Sequence, residues 1–237
     1  MKLNNKNLNQ KWLDYNNARL TGNRKKASAL LNSFITTLLQ NDEEVIENFV
    51  HQICSIVLKN NTFLSTNSIE VASAEVRIQH PLFQKVLIPV FIKKYKENDP
   101  LYIRWIAQME QFFYSGHKTT NYFLEAINID STLQDAVMFS RETNQYEETK
   151  CRYFETDYFL KKSFELKPDQ EVLDLILKRM LRNIDYLTHE LPYLLTDLDD
   201  FIKIINEFKY FSEQSNSKEK WKRQIEEWEN IADNLKT

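Results

Sequence analysis

The sequence predicts an all-α fold of about 11–12 helices, built as stacked antiparallel helix pairs, and three observations lead there. Apolar residues recur at spacings of three and four almost throughout the 237 residues, the period of one helix face. Alternation at period two, bounded by turn residues, is scarce. Only 2 residues are Gly, where average usage of about 7% would supply about 16, so folds that need many positive-φ turns lack their usual residue.

A first helix is expected over about residues 9–20, with Trp12, Tyr15, Ala18 and Arg19 along one side, stopping at Thr21-Gly22-Asn23. Residues 24–40 follow, presenting Ala27, Leu30, Leu31, Phe34 and Leu38. Asn41, three residues before Glu44, has capping spacing, because an Asn side chain accepts from the exposed amides of a first turn. The third helix, about 42–59, turns Val45, Ile46, Phe49, Ile53 and Val57 inward. Residues 60–68, rich in Asn, Ser and Thr, form a polar loop, and 69–79 a short helix with Val71, Ala74 and Ile78 inward. Pro81 suits a first helical turn, where its missing amide costs nothing, and Pro89 kinks the apolar helix around it. Asp99-Pro100 opens a helix to about Ser115 that stops at Gly116. Further helices are expected at about 120–128, 131–142, 146–165, 169–187 and 196–211, with breaks at Lys167-Pro168 and Leu191-Pro192. The last, 218–236, sets Trp221, Ile225, Trp228, Ala232 and Leu235 on one face and charges on the other, the pattern of a terminal capping helix. Residues 1–237 are thus read as a single all-helical domain.

Composition narrows the function. A chain that is 42% hydrophobic and 27% charged is of ordinary globular type, long enough to bury a core without a disulfide or metal. A P-loop or dinucleotide fingerprint needs two or three Gly within about six residues, whereas Gly22 and Gly116 lie in different thirds of the chain. Cys54 and Cys151, far apart in apolar-periodic stretches, read as buried free thiols of a reducing compartment. The first ten residues lack the apolar centre of a signal peptide. The longest apolar run, 86–92, is interrupted by Pro89 and is far short of the roughly 20 residues needed to span a bilayer. A cytoplasmic protein away from membranes is expected.

Formal charge is −3 and the sequence pI about 5.9, against the pI above about 9 usual for a nucleic-acid-binding domain. The charge is uneven. Residues 1–29 carry Lys2, Lys6, Lys11, Arg19, Arg24, Lys25 and Lys26 against the single anion Asp14, a net +6 that leaves −9 on the rest. Such asymmetry suits an acidic partner or charge matching within the chain. A nucleic-acid-linked regulator using these basic helices, 1–29, is the alternative, although no recognition motif is visible.

No catalytic constellation emerges. None of His51, His80, His117 and His189 has Glu three residues before it, so the carboxylate–histidine pair of di-iron bundles is absent. His189-Glu190 begins like a zinc-protease motif, but Tyr193 stands where the second His belongs and Pro192 breaks the helix. His51 and Cys54 share a helix face without an identifiable third ligand, and Asp197, Asp199 and Asp200 suit a helix start, where carboxylates offset the dipole. Ser215 and Lys218 lie in a polar linker, unlike a buried catalytic pair. No cofactor, metal or enzymatic activity is expected. The 30 aromatics fall mostly on apolar helical faces, and the consecutive Phe112-Phe113-Tyr114 must point in different directions.

A faint internal repeat adds to this. Trp12 precedes Gly22 by ten residues and Trp105 precedes Gly116 by eleven, so both glycines fall at the turn of a helical hairpin that opens with tryptophan. Over Asp99 to Ser131, Phe112 and the Ala126-Ile127-Asn128-Ile129-Asp130 stretch complete the pattern. Ala27, Leu31 and Phe34, and then Ser163 to Pro168, supply partial matches elsewhere. This resembles the tetratricopeptide repeat, although Gln108 and Met109 stand where that family has Leu and Gly. The resemblance implies a superhelix that binds a protein or peptide on its concave face. It nominates Asn16, Arg19, Glu110, Phe113 and Tyr114, on the first helices of two hairpins, as contacts.

Overall fold

The computed structural model describes residues 6–59, 77–114, 117–129, 154–190 and 198–235, and the backbone of 133–140 and 145–152. Among them the chain is predominantly α-helical, and it divides into two compact units, Met1–Phe154 and Glu155–Thr237. The polar loop at 60–68, Val71 and Ala74, Gly116, Pro192 and the side chain of Cys151 lie outside the described residues.

In the first unit, α1 (Lys6–Leu20) and α2 (Arg24–Leu38) form a hairpin, followed by α3 (Glu43–Lys59). Leu8, Trp12, Tyr15 and Ala18 are buried along α1 at spacings of three and four, and Ala27, Leu31, Phe34, Ile35 and Leu38 along α2. Trp12 joins the three helices, its ring centroid 5.0 Å from that of Phe34 and 5.4 Å from that of Phe49. The Asn41 amide donates backward to the carbonyls of Thr37 and Leu38, so this side chain serves the end of α2.

The next rod is α4 (His80–Leu82), a π turn (Phe83–Leu87) and α5 (Ile88–Lys96). Pro81 sits in its first turn. The strain expected at Pro89 is taken up by the π turn just before it, where the Ile88 amide reaches five residues back to the Phe83 carbonyl. Arg77–Gln79, expected to end a short helix, is irregular, although Ile78 is buried. The single helix expected over 100–115 is two, α6 (Pro100–Gln108) and α7 (Glu110–Tyr114). They part at Met109, whose φ of −98° and ψ of 19° leave the helical region. An α8 (His117–Ala126) follows.

The helices expected over 131–142 and the start of 146–165 are corrected to an antiparallel hairpin of β1 (Leu133–Ser140) and β2 (Gln145–Arg152). Its register runs from Leu133 opposite Arg152 to Ser140 opposite Gln145, and β2 lies against α8. The physical reason is legible in β2, where the apolar Tyr146 and Cys151 are five apart and cannot share a helical stripe.

Three helices of this unit end in the same way. At Gly22, Asn98 and Asn128 the backbone turns left-handed, with φ of 74°, 55° and 57°. The following amide then bonds five residues back: Asn23 to Ala18, Asp99 to Lys94 and Ile129 to Leu124, each at 3.0 Å. Asn tolerates this conformation better than other side chains, and the sequence holds 22 Asn against 2 Gly.

The second unit contains α9 (Thr156–Leu166), α10 (Gln170–Glu190), α11 (Leu198–Glu213) and α12 (Lys218–Leu235). The Asp169 carboxylate accepts from the Glu171 and Val172 amides and so opens α10 after Pro168. α10 packs on α9 and α11, and α12 packs on α11, where Phe208 is clasped edge-on by Trp221 and Trp228. The buried stripe of α12 stops at Ala232, because Leu235 is 47% exposed.

Candidate functional site

The turn of the α1–α2 hairpin lies between Arg19, in the last turn of α1, and Arg24, Lys25 and Lys26, which open α2. Gly22 closes α1, and Asn23 then caps α2, its side-chain oxygen accepting from the Lys26 amide at 3.1 Å. The first helical positions of α2 are Arg24, Lys25 and Lys26, all exposed, and that turn holds no acidic residue. None of the three makes an ion pair among the described residues. The helix dipole adds positive potential at the same place, so each cation there costs about 0.3–1 kcal/mol of helix stability. On the flank of the hairpin, Lys11 donates to Ser33 Oγ at 2.8 Å.

Of the residues nominated from the sequence, Asn16 is half-buried on α1, its amide donating to the Trp12 carbonyl at 2.9 Å. Its side-chain oxygen finds no partner among the described residues. Arg19, one turn on, is also half-buried and faces Tyr15. Burial pushes the Tyr15 phenol up, while the charges of Arg19 and Arg77 pull it the other way. Glu110 opens α7 and is half-buried. Tyr114 is 48% exposed, its hydroxyl donating to the Phe154 carbonyl at 3.3 Å. Phe113 belongs to the core instead, buried and stacked on Phe154 at 4.1 Å and 7°. A partner could reach it only by opening that core. The two sets of residues sit on elements with different neighbours, α1 on α2 and α7 on α8.

Two lysines elsewhere in the unit are matched. Lys93 bridges Glu43 and Glu47, and Lys94 bridges Glu47 and Glu97, tying α5 to α3. Hydrogen bonds from Lys93 and Lys94 hold the Glu47 carboxyl below its ordinary range.

The residues weighed as catalytic groups or metal ligands are placed as follows. Cys54 is fully buried and its thiol is pushed up by burial, which disfavours the reactive thiolate. His51, three residues earlier, is exposed and lies edge-on to Trp105, 3.5 Å from the Tyr102 hydroxyl. Among the described residues no group of three or more His, Cys, Asp or Glu could hold a metal ion. Asp199 and Asp200 lie in the first turn of α11, and the Ser215 hydroxyl accepts from the Ser217 amide in the turn before α12. Among the described residues no helix is long and apolar enough to cross a membrane.

Comparison with known proteins assigns no relationship: no family model matches this chain, and no curated protein or solved structure matches it.

Proposed function

We propose that this chain is a non-enzymatic binding module that holds an acidic protein or peptide segment against the α1–α2 hairpin. The observation that carries the reading is the triplet Arg24, Lys25 and Lys26, exposed, without an acid beside it and placed where the helix dipole makes it unfavourable. Residues that weaken the fold where they stand are accounted for by an interaction made outside it. Arg19, at the end of α1, extends the positive surface toward the same turn. In this reading α1–α2 is one hairpin of an array of the tetratricopeptide kind, with Asn16 on its partner side and Glu110 and Tyr114 on another. A nucleic acid held by the same cations is the second reading. It is disfavoured by the sequence pI of about 5.9, against the value above about 9 usual for a nucleic-acid-binding domain, and by the absence of a recognition motif in the sequence.

The two readings separate in a titration of the full chain with a Glu-rich peptide and with a single-stranded oligonucleotide of equal charge. The peptide is expected to bind at physiological salt. Preference for the oligonucleotide, with affinity falling steeply between low and physiological salt, favours phosphate recognition instead. Failure of both ligands removes the hairpin as a polyanion site.

A further inference from the structure

The second unit carries a separate depression between α11 and α12, and we propose that it seats the lysine or arginine side chain of a basic partner segment. Its volume is about 260 Å³, and it is lined by Ile202, Ile205 and Asn206 of α11 and by Glu229, Ala232 and Asp233 of α12. The sequence explains why space remains there. Trp228 fills the interface with an indole, whereas Ala232, one turn further along the same face, contributes one methyl group.

The surfaces of this groove match one kind of side chain. Ile205 and Ala232 are buried and Ile202 half-buried, giving an apolar floor. Glu229 and Asp233 stand one helical turn apart and place two carboxylates on one wall, which gives the groove an acidic rim. An ammonium already binds this wall from one side, since Lys209 Nζ lies 2.8 Å from Glu229 Oε1. A long aliphatic stem with a cationic head pairs the floor with the carboxylates, as lysine and arginine do wherever they cover apolar surface and keep the charge in water. Size selects a single side chain, because pockets for drug-sized ligands begin near about 300 Å³. The groove is open to solvent, so a free amine would leave much of its surface wet, and a side chain anchored by its neighbours is the better occupant. This site is independent of the α1–α2 reading.

The test titrates the full chain with acetyl-Gly-Lys-Gly-Lys-Gly-amide, following Trp228 fluorescence, alongside the same peptide carrying norleucine for lysine and alongside n-butylammonium. The lysine peptide is expected to bind, and the norleucine peptide at least about tenfold more weakly. Ala232→Leu fills the groove and Glu229→Gln with Asp233→Asn removes its charge, and each is expected to weaken the lysine peptide at least about tenfold. The second variant keeps the volume of both side chains and gives up the exposed Lys209–Glu229 bridge, so it decides the matter if the first is unstable. Equal binding of the norleucine peptide, or unchanged affinity in the charge-removed variant, overturns the proposal. Binding of n-butylammonium as tight as that of the peptide overturns the choice of a partner side chain. Charge reversal at Arg24, Lys25 and Lys26 should leave this binding unchanged.

Discussion

The α1–α2 hairpin and the α3–α5 contact use lysine and arginine in opposite ways. At the α3–α5 contact, Lys93 and Lys94 meet Glu43, Glu47 and Glu97, and the cations help to join two helices. In the hairpin, Arg24, Lys25 and Lys26 lie exposed at the positive end of α2 with no acid in its first turn. The difference teaches that the hairpin is held by its rings, Trp12 against Phe34 and Phe49, and by its turn. Its charge remains available to a molecule outside the chain.

The largest expected effect tests that division directly. Trp12→Ala should cost about 3–5 kcal/mol in denaturant unfolding, because it empties the centre of three packed helices. A loss under about 1 kcal/mol would mean that the rings are not what holds the hairpin. Next, Asn23→Ala removes the cap of α2 and should cost about 1 kcal/mol, measured in the same way.

Glu47→Gln sharpens the other side of the comparison. Glu47 is held below its ordinary value of 4.5 by Lys93 and Lys94, so its contribution is present above that pH and is lost as pH falls through the lowered folded-state value. The variant should therefore lose under about 1 kcal/mol at neutral pH and show a flatter acid limb than the parent. An unchanged acid limb would remove the network from the stability of the α3–α5 contact. The smallest effect is expected from Tyr114→Phe, which gives up one long hydrogen bond of a half-exposed ring and should move stability by under about 0.5 kcal/mol. A clear loss of peptide binding in that variant would extend the contact surface to α7.

Helices with strong apolar spacing were legible in the sequence because their burial follows a three-and-four period, as in Leu8, Trp12, Tyr15 and Ala18 of α1. The starts at Asp99 and Asp169 were legible too, since a carboxylate before a first turn has a local physical role. Less visible were the endings at Asn98 and Asn128. Asparagine can adopt the left-handed turn, but it also serves in caps and loops, so its presence alone does not mark a helix end. The β-hairpin was missed because Ala136, Val137, Met138 and Phe139 of β1 run consecutively, and such a run fits either a helix or a strand. Among the site residues, Phe113 and Tyr114 are adjacent, yet one is core and the other half-exposed. Spacing places neighbours on different faces but does not say which face the fold covers. The α11–α12 groove required the structure, since it depends on Ala232 lying opposite Ile202 and Ile205 of another helix.

The most direct test of the basic hairpin replaces Arg24, Lys25 and Lys26 with glutamate together and measures both the thermal midpoint and the affinity for a Glu-rich peptide. The account predicts that the midpoint rises, by roughly 2–4 °C per kcal/mol gained at the helix start, while affinity falls at least about tenfold. A lower midpoint with unchanged affinity would contradict it.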